Sequence, residues 1–87
     1  MNGRARVAWN LRRLRTAKGL SQVRLAADAG VDKSFVGQIE REERSVSVDI
    51  LEKLATALGC DIAGFFEMPV KGDARPDALK SGRRAKG

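Results

Sequence analysis

Histidine and tyrosine are absent from this 87-residue chain, and cysteine occurs once, as Cys60. Without imidazoles or several thiols there is no set of ligands for a zinc site, no disulfide, and no nucleophile with an imidazole base. No metal, cofactor or enzymatic activity is therefore expected. No apolar run approaches the roughly 20 residues of a membrane span. The first ten residues carry two arginines but no long apolar stretch of the kind found in secretory signals. The expected location is cytoplasmic. Aspartate and glutamate are also missing from the first 27 residues, so one sign of charge is excluded from almost a third of the chain.

What is present instead is polarised. Residues 1–27 hold Arg4, Arg6, Arg12, Arg13, Arg15, Lys18 and Arg24, a segment charge of +7. Residues 28–67 hold nine acids against Lys33, Arg41, Arg44 and Lys53, giving −5, and residues 68–87 return to +4, for a total of +6. Such asymmetry suits a body with one basic face for a polyanion and another free for protein contact. A merely solvated arginine-rich helix explains the composition equally well. The length fits one domain, which at this size buries only about 60–65% of the surface its unfolded chain exposes. A dimer interface could therefore supply much of its stability.

Residues 22–41, QVRLAADAGVDKSFVGQIER, read as two short helices broken by a sharp turn. Ala26 lies where a large side chain would stop the second helix crossing closely. Gly30 occupies the turn, where a positive φ is accepted by glycine without strain. Leu25, Val31, Val36 and Ile39 fall on the inner sides of the pair. This is the pattern of a helix-turn-helix.

Around it, the spacing predicts a first helix over residues 4–18, with Val7, Leu11 and Leu14 on one face and Gly19 as its stop. Trp9 projects to the far side of that helix, either packed under a terminal segment or free for a partner. Ser21 and Asp32 are expected to cap the second and third helices, and Ser47 a fourth that ends at Gly59. A fifth, short helix runs from Asp61 to about Glu67 before Pro69. No strand is apparent. From residue 69 the chain has little periodicity and one leucine, Leu79, and is read as a flexible basic tail following a domain over residues 1–68.

The residues Leu20-Ser21-Gln22, Leu25-Ala26, Gly30-Val31, Val36, Gln38-Ile39-Glu40-Arg41 and Leu54-Ala55 with Leu58-Gly59 resemble the Cro and phage-repressor (XRE-type) family of DNA-binding domains, from about Leu11 to Phe66. The run Arg44-Ser45-Val46-Ser47-Val48, followed by Leu51, is similar to the small controller proteins of restriction-modification systems. The resemblance implies an all-α, compact five-helix bundle of the lambda-repressor-like type. It also implies that Arg15 and Glu40 form a structural salt bridge between the first and third helices. Two positions depart from the family: Glu42 stands where glycine often follows the Glu-Arg pair, and Val46 where proline often precedes the serine cap.

In a helix-turn-helix the third helix enters the major groove while the second crosses the phosphates. Lys33, Ser34, Gly37 and Gln38 are the expected base readers, with Gln38 the natural bidentate partner of adenine. Gly37 either lets the backbone approach DNA or leaves a base pair unread. Gln22, at the start of the second helix, is expected on a phosphate, with Arg24, Arg41 and Arg44 as further phosphate partners. Glu42 and Glu43 bring negative charge to the same region, either turned away by the loop or reducing affinity.

One such domain reads few base pairs, so a homodimer on a palindromic site in double-stranded DNA is expected. Val46, Val48, Ile50, Ile62 and Phe65 are its expected interface, with Phe66 inside. The leading function is a dimeric, sequence-specific regulator of transcription. A protein-interaction module, such as an antitoxin whose C-terminal tail meets a protein partner, is the alternative.

Overall fold

The computed structural model describes residues 2–68. The basic tail expected from residue 69 lies outside the described residues. Four α-helices and one 3₁₀ helix follow in order: α1 (Gly3–Ala17), α2 (Gln22–Ala29), α3 (Phe35–Glu40), α4 (Val48–Leu58) and the 3₁₀ helix (Ile62–Phe66). Among the described residues there is no strand.

Local chemistry sets the boundaries. Asn2, Ser21 and Ser47 each accept a hydrogen bond from a backbone N–H in the first turn of the helix they precede, satisfying one of the donors that a helix start leaves unpaired. Helix α2 ends at Gly30 with φ of +74°, where the Gly30 and Val31 N–H groups close onto Ala27 and Ala26. This is the left-handed glycine stop that reverses the chain and turns it into α3. Helix α4 ends the same way at Gly59. Helix α3 starts later than Asp32, at Phe35. Asp32 instead accepts from the Ser34 N–H, and Phe35 N–H reaches the Asp32 carbonyl, forming a turn ahead of the helix.

Leu11, Leu25, Ala26, Val36, Leu54 and Phe65 have no exposed surface, and with Ile39 they form the centre of the core. Ala26, without a side chain beyond Cβ, sits there between α2 and the elements that cross it. The fifth element corrects two expectations. It is a 3₁₀ rather than an α-helix, spanning only five residues, with Gly64 N–H bonded back to Asp61. A period of three rather than 3.6 aligns Phe65 with Ile62 and rotates Phe66 away. Phe65 is thus wholly buried and is not an interface residue, while Phe66 is 43% exposed.

Asn10 fixes this arrangement. Its side chain is fully buried, and its amide donates to the carbonyls of Phe65 and Glu67 at 2.9 Å each, and to that of Arg6 at 3.0 Å. Its Oδ1 accepts from the Arg13 guanidinium, which also lies 5.5 Å from the centre of the half-buried Trp9 ring. One polar side chain on α1 therefore holds the end of the described chain in place. Asn10 follows Val7 by three residues, so it lies on the apolar stripe of α1, which is the sequence signal that marks it.

Candidate nucleic-acid interface

The angle between α2 and α3 rests on one buried carboxylate. Glu40, at the end of α3, has no exposed side-chain surface. Arg15 of α1 clasps it with two bonds, Nε to Oε2 at 2.7 Å and a terminal nitrogen to Oε1 at 3.0 Å. Arg12 adds Nε to Oε1 at 3.3 Å, and Gln22 of α2 donates Nε2 to the same oxygen at 3.0 Å. The remaining Arg15 nitrogen donates to the Leu20 carbonyl at 2.8 Å. Three helices thus share one ion cluster. Arg12 was not anticipated in it. Its place follows from lying one turn before Arg15.

Gln22 stands at the first turn of α2, and its amide spends one hydrogen on Glu40. Its Oε1 and the Arg41 guanidinium both close over Gly37: a Cβ added at Gly37 would lie 3.1 Å from Gln22 Oε1 and 3.0 Å from an Arg41 terminal nitrogen. Gly37 is accordingly buried. This corrects its assignment as a base reader, because position 37 presents Gln22 and Arg41 to solvent rather than its own backbone. The close approach needs the missing Cβ.

Lys33 and Ser34 stand exposed in the turn before α3. Ser34 donates its hydroxyl to the Asp32 carboxylate. That bond, the Ser34 amide, and the nearby Lys33 and Arg44 charges hold the Asp32 carboxyl below the usual range. Gln38, half-buried one turn into α3, accepts from Arg44 at 2.8 Å, and the Arg44 guanidinium carbon lies 4.2 Å above the Phe35 ring. Phe35 and Arg44 are therefore joined to Gln38 in one cluster that spacing did not reveal.

Two other cations also have partners within the chain. Arg24 pairs with Asp28 one turn on, at 3.1 Å. Arg41 makes two bonds to Glu43, at 2.8 and 3.1 Å, which lower the Glu43 carboxyl and raise the Arg41 guanidinium. Both pairs are exposed, a setting in which ion pairs contribute little and exchange readily. Glu42 has φ of +61°, a left-handed conformation that strains any residue but glycine. That conformation explains why glycine suits this position.

Residues 11–65 match the HTH_3 family, described as helix-turn-helix. The chain belongs to this XRE-type family of DNA-binding regulators. The family is one of transcription regulators rather than of enzymes. Over 56 residues, 64% of the chain and 53% of the relative, it is 41% identical to a hypothetical transcription factor of Neisseria meningitidis. Over 56 residues, 64% of the chain and 67% of the relative, it is 38% identical to the control protein C.SmaI of Serratia marcescens. The crystal structure of the restriction-modification controller protein C.AhdI from Aeromonas hydrophila superposes with a TM-score of 0.70 and 48% identity, covering 72% of this chain and 91% of that one. The chain spans about half the length of the Neisseria relative. No described helix is long and apolar enough to cross a membrane.

Proposed function

We propose that the chain is a sequence-specific DNA-binding regulator of transcription that acts as a homodimer on a palindromic site. The observation that carries this reading is that Gln22, from the start of α2, and Arg41, just past the end of α3, both lie over the Cβ-less surface of Gly37. That arrangement brings a helix N-terminus and a guanidinium to the same flank of the helix that would enter the groove. Phosphates dock on both, while Lys33, Ser34 and Gln38 face base edges. Arg24 adds backbone charge once DNA displaces its present partner, Asp28.

The dimer surface proposed here differs from a face built on Phe65. Val48 is 63% exposed and Phe66 43%. With Val46, Leu51 and the start of α1 they line an apolar groove of about 350 Å³. Val46, Ile50 and Ile62 are partly buried against the core, and of these Val46 lines the groove. Val46, Val48 and Phe66 thus carry the contact.

Selection of bound sequences from a random duplex pool at two salt concentrations tests the function. A palindromic consensus that persists at moderate salt is expected. Enrichment of no sequence, with binding lost as salt rises, would reduce the protein to a non-specific polycation. For the dimer, Phe66→Asp is expected to give a folded monomer in sedimentation. A dimer that survives both Phe66→Asp and Val48→Asp would place the interface elsewhere.

A further inference from the structure

We infer that Arg44 acts as a specificity-determining clamp on Gln38, turning that residue from an adenine reader into part of a guanine reader. The inference rests on the reading of α3 as the base-reading helix.

The chemistry of the pair fixes the orientation of the amide. Arginine carries donors only, so whatever it bonds on Gln38 must be the carbonyl oxygen, and Nε2 is left as the amide group that Arg44 does not engage. The bond is short, with an Arg44 terminal nitrogen 2.8 Å from Oε1. Two further features hold Arg44 in place. Its guanidinium stacks on Phe35, the half-buried first residue of α3, at 4.2 Å. The loop that carries it is tied back by the Glu43 N–H, which donates to the Gln38 main-chain carbonyl at 2.9 Å. The side chains of Phe35, Gln38 and Arg44 therefore form one preorganised unit rather than three independent ones.

The edge this unit presents is a row of N–H donors from Gln38 Nε2 and the unused nitrogens of Arg44. Reading adenine requires an acceptor for its N6 amino group next to a donor for N7. With a guanidinium seated on Oε1, the amino group of adenine would meet a positive charge. Guanine offers N7 and O6, both acceptors, and matches the row. A free glutamine prefers adenine, and the clamped one prefers guanine.

The test compares the sequences selected from a random duplex pool by the whole chain and by its Gln38→Ala and Arg44→Ala variants. Gln38→Ala identifies the base pair under the unit, as the position where preference is lost. At that position the unsubstituted chain should select guanine, and Arg44→Ala should shift the preference toward adenine by roughly tenfold. Arg44 is exposed, and circular dichroism of the variant should match that of the unsubstituted chain. Adenine already selected by the unsubstituted chain would overturn the clamp. So would an Arg44→Ala variant that binds every sequence more weakly with its base preference intact, since that marks Arg44 as a phosphate contact. In both cases a consensus exists and the proposed function stands. Absence of any consensus overturns both.

Discussion

Replacing Glu40 with glutamine keeps the shape of the side chain and removes its charge from between two guanidiniums. The Arg15 side chain is 8% exposed and that of Arg12 21%, so neither cation recovers full hydration when its partner is neutralised. The new amide also turns a donor toward at least one guanidinium nitrogen. Breaking a buried pair in this way costs about 3–5 kcal/mol. A domain of this size is stable by roughly 3–10 kcal/mol, so Glu40→Gln should remove a third or more of the total and lower the melting temperature by at least about 12 °C. Arg15→Met should cost nearly as much. Arg12→Met should cost less, because its bond is longer and its side chain wetter. Urea unfolding, followed both by Trp9 fluorescence and by far-UV circular dichroism, measures each value, with coincident curves establishing two-state behaviour. DNA affinity of Glu40→Gln should decline in step with its folded fraction. A loss below about 1 kcal/mol, or equal costs for Arg12→Met and Arg15→Met, would refute the view that this carboxylate fixes the α1–α2–α3 geometry.

Asn10→Ala strands the buried Phe65 carbonyl, frees the partly buried one of Glu67, and should destabilise by about 1–3 kcal/mol in urea. Asn10→Asp should not rescue it, because the carboxylate has no donor for those carbonyls; a fully stable Asn10→Asp would contradict the geometry. Glu43→Gln releases Arg41 and should raise affinity for specific and random duplexes alike by a few-fold. Its binding should also respond more steeply to salt, by up to about 0.9 in the log–log slope, and an unchanged slope would show that Arg41 stays away from phosphate. The Asp32 carboxyl, held down by Ser34, should titrate below about 3.9, the usual aspartate value. A depressed carboxylate favours the folded state above its unfolded pKa, and that contribution fades as pH falls through the folded value. Side-chain carbon NMR of Asp32 checks this, and a midpoint at or above 3.9 would refute it.

The helix ends were legible because their causes are local. Ser21, Ser47, Gly30 and Gly59 each act on groups within four or five residues, and the chain alone displays both partners. The 3₁₀ helix was not legible for the opposite reason. Its last carbonyls are held by a side chain 55 residues away, Asn10, whose amide donates to the Phe65 carbonyl, and a switch from 3.6 to three residues per turn exchanges the places of Phe65 and Phe66. Within the interface, the exposure of Lys33 and Ser34 followed from their position in the turn. The burial of Gly37 did not, because it depends on two long side chains, Gln22 and Arg41, folding across it. The partners of Arg24, Arg41 and Arg44 depend likewise on rotamers and on a loop bent through a left-handed Glu42.

Those partners bear on how the carboxylates near α3 act. Glu43 is not turned away from the site; it is bonded to Arg41, a cation expected to meet phosphate. Arg24 is similarly engaged by Asp28, and Arg44 by Gln38. Phosphate contact by Arg41 and Arg24 on any duplex then requires exchange of a carboxylate partner at two positions, and each exchange gains less than a free cation would. Random DNA offers only phosphates, so its whole affinity is reduced by that exchange. On the proposed reading, a specific site adds base contacts through Lys33, Ser34 and Gln38 that the carboxylate pairs leave intact. The carboxylates therefore lower the affinity for both kinds of duplex by a similar factor, and the ratio between them is left to the base contacts. In a small, strongly basic chain, that damping lowers the electrostatic part of binding and with it the time spent on random sequence.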